Sequence, residues 1–128
     1  MRLRILVTAA AIVGFASAST LIARTTAGKK WAVSNFVDTV MVNRTLITGQ
    51  VLVVHDDEKM ARGEPCTTFY RFDRNEGQKE ALVSFHCKPR RARAVAKATF
   101  TTAPTDVGIK RLVEYQLGGE TEAHGVPR

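Results

Sequence analysis

The sequence predicts an all-β domain, a small antiparallel β-sandwich or open barrel of about seven short strands with one short helical turn. Three observations support this fold class. Runs of β-branched and aromatic residues recur along the chain with turn residues between them, and none has the 3.6-residue period of an amphipathic helix. Strand-like runs do not alternate with helical segments, as a parallel sheet would require. The only two cysteines, Cys66 and Cys87, each lie at the outer end of a strand-like run.

Residues 1–18 predict a secretory signal peptide, which would form an N-terminal signal helix. Arg2 and Arg4 form a short basic region, residues 5–15 are almost all apolar, and Ala16-Ser17-Ala18 places small residues where a signal peptidase cleaves. The apolar run is shorter than the roughly 20 residues that a membrane span needs, so cleavage is favoured over an N-terminal anchor. We therefore expect a secreted or periplasmic protein with no transmembrane span after cleavage.

The net charge limits the classes of partner. It is +7, and it falls to +5 when Arg2 and Arg4 leave with the signal peptide. An exported protein rarely meets nucleic acid, so the excess favours solubility or contact with an anionic envelope surface or polymer. The densest basic cluster is the candidate anion-binding site, with a solvated charged loop as the alternative interpretation. This cluster comprises Lys88, Arg90, Arg91 and Arg93.

The folded domain is expected to span residues 31–117, between a flexible lead-in at 19–30 and a polar tail at 118–128. Its strands are predicted at residues 31–37, 39–42, 46–54, 66–72, 81–87, a run that ends with 99–102, and 110–117. A helical turn that begins at Pro89 is an alternative for the residues before 99. Asn43-Arg44 supplies the turn after the second of these strands, and Gly49 marks a bulge or bend in the third.

One short helical turn is predicted within residues 55–65. Asp56 or Asp57 can accept hydrogen bonds from the free backbone amides at its start, where the helix dipole also favours acidic side chains. Gly63 can take the left-handed conformation that closes a helix, and Pro65 prevents the helix from continuing.

The two cysteine-containing runs predict an antiparallel hairpin in which Cys66 lies directly opposite Cys87. That register puts Thr68, Tyr70 and Phe72 on the same, more apolar face as the cysteines. Two cysteines in an exported chain are expected to form a disulfide, and closing so short a loop would contribute about 3 kcal/mol. A structural disulfide is favoured, because catalytic cysteine pairs usually lie close together at a helix start. A cross-strand disulfide can be more easily reduced, so a redox role stays open.

Metal binding is a further possibility, because the chain has only three histidines, of which His55 precedes the hairpin and His86 lies in it. His55 ends a predicted strand, His86 lies in the hairpin, and His124 falls in the predicted polar tail. If the strand that ends at His55 pairs beside the hairpin, His55 and His86 could approach, with Asp57 or Met60 as the nearest further ligand for Zn or Cu. The candidate metal ligands are therefore His55, Asp57 and His86. No spacing matches a recognised metal motif, and a solvated or hydrogen-bonded histidine is the alternative.

The segment from His55 to Cys66, with Phe85-His86-Cys87 after it, resembles a group of small exported bacterial proteins of unknown function. The resemblance covers roughly residues 36–117. It implies a secreted β domain with the two cysteines in place, and it brings no activity and no site.

The motifs of the common hydrolases and nucleotide-binding proteins are missing from the sequence. It contains no Gly-x-Ser-x-Gly, no His-Glu-x-x-His and no phosphate-binding glycine loop. We therefore expect neither an enzyme nor a cofactor. The leading hypothesis is a non-catalytic exported protein, either structural or a binding module of the cell envelope. The alternative is a metal-binding or redox-responsive periplasmic protein that uses the histidines and the hairpin cysteines.

Overall fold

The computed structural model describes residues 28–128, which form an open, mixed sheet of eight β-strands with one short helix. The strands are β1 (Lys29–Val42), β2 (Thr45–Asp56), β3 (Thr67–Asp73), β4 (Gly77–Phe85), β5 (Lys88–Arg91), β6 (Thr99–Ala103), β7 (Lys110–Gln116) and β8 (Glu122–Gly125), and the helix is α1 (Asp57–Ala61). The prediction of an all-β fold with a single helical turn is confirmed. The predicted signal peptide and its helix lie outside the described residues. Within 28–128, no helix is long and apolar enough to cross a membrane.

The sheet is mixed because two of its strands run parallel. Its strand order is β4-β3-β2-β1-β7-β8-β5, and β6 also pairs with β7. Among the described strands, β1 and β7 form the parallel pair, which joins Val40 to Lys110 and Met41 to Arg111. The sequence predicted only antiparallel pairing, because a parallel contact of two residue pairs leaves no pattern in the local sequence.

The sheet curls so that its two halves enclose the core. Phe69 of β3 packs against Tyr115 of β7, with ring centroids 6.2 Å apart, although these strands are not neighbours in the sheet. Phe36 of β1 meets Phe100 of β6 edge-on at 5.5 Å. These rings belong to one apolar cluster, whose burial is the main favourable contribution to folding.

Strands β1 and β2 form a long hairpin in place of the three shorter strands predicted for this region. Asn43 and Arg44 make its turn with φ angles of 44° and 73°, the conformation that matches the twist of paired strands. Gly49 has a φ of 92° and pairs with Phe36, where a register shift sets three residues of β1 against one of β2. An irregularity at Gly49 was predicted, but the extra residues lie in β1. The bulge absorbs the irregularity, so β1 continues where two strands were predicted.

Helix α1 is capped as predicted. The side chain of Asp56 accepts hydrogen bonds from the backbone amides of Glu58 at 3.0 Å and Lys59 at 3.2 Å. Gly63 is left-handed with a φ of 72°, and the amide of Glu64 donates to the carbonyl oxygen of Lys59 at 2.9 Å, as in a Schellman closure. Both ends of the turn are therefore fixed by local contacts.

At the cysteine end, the register of the β3–β4 hairpin differs from the prediction by one residue, and shifts after Phe69 and Tyr70 increase the difference toward the turn. Cys66 is therefore level with His86 and not directly opposite Cys87 as predicted. Thr67, not Thr68, pairs with Phe85. Because side chains alternate along a strand, this slip exchanges which face of β3 lies on the same side of the sheet as Phe85. Phe69 is fully buried and packs against Phe85 and two further core rings, whereas Tyr70 is only half-buried. Contacts with the opposite half of the sheet decide which face is buried, and the hairpin sequence alone does not contain them.

The C-terminal segment predicted as a polar tail contains β8 instead. This strand pairs with both β5 and β7, and Ala123, His124 and Val126 are buried. The basic segment predicted as a loop is likewise the edge strand β5, where Pro89 is tolerated because an edge strand leaves some amides unpaired. Both strands are short and weakly apolar, so backbone pairing with distant segments, rather than local pattern, creates them.

Candidate metal centre

Two buried histidines face each other across the curled sheet. His55 lies near the end of β2 and His124 lies in β8, and their ring centroids are 4.1 Å apart. Only 1% of His55 and 3% of His124 is exposed to solvent. Because β2 and β8 are not neighbours in the sheet, the curl of the sheet is what brings the two imidazoles together.

The two cysteines lie beside this histidine pair. Cys66 immediately precedes β3 and Cys87 follows β4, and they form the predicted disulfide with Cα atoms 6.3 Å apart. Potential ligand atoms of His55, Cys66 and Cys87 all lie within 4.8 Å of one another. Nδ1 of His124 is 3.6 Å from Sγ of Cys87. Two imidazoles and two sulfur atoms therefore converge in one buried place.

Tyr115 of β7 orients the second histidine. Its ring stacks on that of His124 with centroids 5.0 Å apart and an interplanar angle of 26°. The hydroxyl group of Tyr115 shares a hydrogen bond with the buried side chain of Thr67. Burial raises the pKa of Tyr115 far above its ordinary value, so the phenol keeps its proton. The stack and the hydrogen bond restrict how far His124 can turn.

The histidines line a cavity of about 270 Å³, the histidine pocket, which also contains carboxylates. Oδ1 of Asp57 is 3.2 Å from Nδ1 of His55, and Oε1 of Glu122 is 3.8 Å from Nδ1 of His124. Met60 of α1 is another lining residue. Each imidazole thus has a carboxylate within about one ligand spacing.

Lys30 of β1 brings a positive charge to the same pocket. Its Nζ donates a hydrogen bond to Oε2 of Glu120 at 2.9 Å and lies 3.8 Å from Oδ2 of Asp57. The hydrogen bond to Glu120 raises the pKa of Lys30 above its ordinary value, so the side chain stays charged. The ammonium group partly neutralises carboxylates that a metal ion would otherwise attract.

Burial keeps both imidazoles uncharged at neutral pH. Loss of hydration lowers the pKa of His55, and loss of hydration together with repulsion from His55 lowers the pKa of His124 to about 4. Among the described residues, neither ring nitrogen of His55 has a hydrogen-bond partner. Oδ1 of Asp57 is close to Nδ1, but the two groups are not aligned for a hydrogen bond. A neutral imidazole offers a lone pair, which is the form that binds Zn or Cu.

The structure brings together two of the three predicted metal ligands. His55 and Asp57 line the histidine pocket, whereas His86 is exposed between β4 and β5 and is not one of the lining residues. His124 occupies the place expected for His86. The only sequence signal for His124 was the scarcity of histidine in the chain, because its neighbours carry too few apolar side chains to predict a strand.

The predicted anion-binding residues lie at the opposite edge of the sheet from β4. Lys88, Arg90 and Arg91 belong to β5, Arg93 follows it, and all four are exposed. Arg90 forms a two-pronged ion pair with Glu114 at 3.0 and 2.6 Å, and this pairing lowers the pKa of the Glu114 carboxyl. The remaining three cations of the cluster extend along an exposed edge strand.

Comparisons of the chain with protein-family models, with curated proteins and with solved structures found no match. The resemblance to small exported bacterial proteins therefore stays a prediction.

Proposed function

We propose that this protein is an exported, non-catalytic module that binds a transition-metal ion between His55 and His124. One observation carries the proposal: the imidazole of His55 is buried without a hydrogen-bond partner among the described residues, 4.1 Å from the ring of a second buried histidine. A buried polar group without a partner costs about 1–3 kcal/mol. A metal ion in the histidine pocket would offset that cost.

The donors around the pocket favour a transition metal over magnesium or calcium. With the disulfide intact, the nearest donors are the two imidazoles and the carboxylates of Asp57 and Glu122. Bonds of 2.0–2.1 Å in a tetrahedron separate two ligands by about 3.3 Å. The 3.2 Å between His55 Nδ1 and Asp57 Oδ1 is close to that value. Imidazole nitrogens suit Zn and Cu, whereas Mg and Ca require mostly oxygen ligands.

Binding is favoured over catalysis by the number of donors. Two imidazoles and two carboxylates would fill a tetrahedral shell, whereas a catalytic zinc keeps one position open for water or substrate. Export is supported by the signal peptide predicted at residues 1–18 and by the disulfide, a bond typical of oxidising compartments.

Titration calorimetry of the oxidised protein with Zn²⁺ and Cu²⁺ tests the proposal. We expect one ion per chain and an affinity lowered roughly 100-fold or more in His55→Ala and His124→Ala. Loss of a residue that only hydrogen-bonds to a metal ligand already lowers metal affinity about 10–100-fold. His86→Ala is the matched control, since His86 is exposed outside the pocket. Circular dichroism establishes that each variant is folded. Absence of binding, or equal losses in all three variants, would refute the proposal.

The basic edge strand supports a second proposed function, binding to an anionic surface or polymer of the cell envelope. All four residues of β5 are exposed, and the charged side chains of Arg91 and Arg93 are accessible to solvent. We expect Arg91→Ala/Arg93→Ala to weaken sedimentation with anionic vesicles. The control Arg74→Ala/Lys110→Ala removes the same charge from exposed positions outside β5 and should bind as the unaltered protein does. Equal binding by both double variants would dismiss this function.

A further inference from the structure

We propose that Cys66 and Cys87 switch the metal centre between two sets of ligands. When the cysteines are joined, the histidines share the ion with carboxylates; when the disulfide is reduced, the two thiolates replace the carboxylates and create a Cys₂His₂ site. This inference rests on the proposed binding of a metal ion between His55 and His124.

The positions of the sulfur atoms carry the inference. Ligand atoms of His55, Cys66 and Cys87 lie within 4.8 Å of one another. In a tetrahedral zinc site, bonds of about 2.1 Å to nitrogen and 2.3 Å to sulfur separate the two ligands by about 3.6 Å. Nδ1 of His124 already lies 3.6 Å from Sγ of Cys87. The sulfurs are therefore within ligand spacing of the histidines before any rearrangement.

The strands keep both cysteines at the centre when the disulfide is open. The carbonyl oxygen of Cys66 accepts a hydrogen bond from the amide of Asp56 at 2.8 Å, which ties Cys66 to the end of β2. Cys87 lies between Phe85, which pairs with Thr67 at the start of the β3–β4 ladder, and Lys88, which pairs with Gly125 in the β5–β8 ladder. These backbone hydrogen bonds do not depend on the disulfide, so reduction frees rotation of the cysteine side chains and leaves their Cα atoms in place.

The disulfide and the thiolate site exclude each other chemically. A metal ion binds the thiolate form of cysteine, and a sulfur engaged in a disulfide lacks that charge. Opening the bond requires two electrons, which we assign to an external dithiol reductant. Its thiolate attacks Sγ of Cys87, the more exposed cysteine, and expels the thiolate of Cys66; its second thiol then releases Cys87 and leaves the reductant as a disulfide. The metal ion then binds both sulfurs as thiolates, and the two protons of the reductant's thiols are released to solvent.

Reduction would change which ions the protein prefers. Two imidazoles with two carboxylates suit Zn²⁺ or Cu²⁺, whereas two imidazoles with two thiolates suit Zn²⁺ or Cu⁺. The class of ligand is therefore zinc or copper, held more tightly by the reduced protein. By linkage, the ion stabilises the dithiol and makes the disulfide easier to reduce.

The test measures the dithiol-to-disulfide ratio of the full chain in dithiothreitol redox buffers, with free Zn²⁺ fixed by a chelator. When the free Zn²⁺ concentration lies between the dissociation constants of the reduced and oxidised forms, we expect the dithiol-to-disulfide ratio to rise tenfold for each tenfold increase in free Zn²⁺. This change is equivalent to about 30 mV in reduction potential. His86→Ala should behave identically to the unaltered protein. His55→Ala and His124→Ala should shift much less.

The possible failures are distinguishable. If the oxidised protein binds Zn²⁺ but the ratio does not change with Zn²⁺, the switch is refuted and the proposed function stands. If neither redox form binds Zn²⁺, both are refuted. Substituting Co²⁺ gives a second readout that needs no variant: thiolate-to-cobalt absorption should appear only after reduction. Its absence in reduced, cobalt-bound protein would also refute the switch.

Discussion

Lowering the pH from 7.5 to 5 is expected to destabilise the metal-free protein by about 2 kcal/mol through His124 alone. Burial lowers the pKa of His124 from 6.5 to about 4. Between pH 6.5 and 4, this histidine binds a proton in the unfolded chain but not in the folded chain. Its contribution to the free energy of unfolding is therefore fully present above pH 6.5 and is lost as the pH falls toward 4. The full difference of 2.5 pKa units corresponds to roughly 3 kcal/mol, of which about 2 kcal/mol is reached at pH 5. The lowered pKa of His55 adds a loss of the same sign.

The pH range separates this effect from the titration of carboxyl groups. Several surface carboxyls also have lowered pKa values, and they too destabilise the protein as they take up protons. Their ordinary pKa values are 3.8 to 4.5, so the unfolded chain protonates them mostly below pH 5; they are Glu64, Asp73, Glu80 and Glu114. Loss of hydration and the nearby Lys30 lower the pKa of His55, and loss of hydration is the largest effect. It outweighs the carboxylates of Asp57, Glu122 and Asp56, which raise the pKa.

Urea unfolding followed by far-ultraviolet circular dichroism measures the loss. The titrations are made at pH 7.5, 6 and 5 with a chelator, constant ionic strength and the disulfide intact. His86→Gln, which changes an exposed histidine, should keep the loss of about 2 kcal/mol, and His124→Gln should remove most of it. The reasoning is refuted if the unaltered protein is equally stable at pH 7.5 and 5, or if both variants lose the same amount.

Two further predictions test the register of the hairpin and the charge of the pocket. Phe69→Ala should cost roughly 3–5 kcal/mol in urea unfolding, because it empties a fully buried site, and Tyr70→Ala should cost less than half as much. A larger cost for Tyr70→Ala than for Phe69→Ala would contradict the structure and support the register predicted from the sequence. Lys30→Met should tighten Zn²⁺ binding several-fold in calorimetry, because it removes a cation beside Asp57, while the exposed Lys29→Met should not. An unchanged affinity in Lys30→Met would place the ion away from this pocket.

The features that the sequence determined by itself depend on residues a few positions apart. The β class follows from β-branched and aromatic runs between turn residues. The caps of α1 need only Asp56 and Gly63, and the bend at Gly49 needs only the freedom of glycine to adopt a positive φ. The pairing of Cys66 with Cys87 followed from the presence of two cysteines at the ends of two runs that form a hairpin.

The tertiary structure decided everything that depends on the curl of the sheet. The register of β3 follows from burying Phe69 against rings on distant strands, not from the alternation within the hairpin. The metal centre needed His124, which lies in a short polar strand that exists only because β5 and β7 pair with it. Backbone hydrogen bonds stabilise such a strand whatever its side chains are, so the local sequence does not predict it. His55 was recognisable from the sequence, but its partner was decided by which strand the curl of the sheet places opposite it.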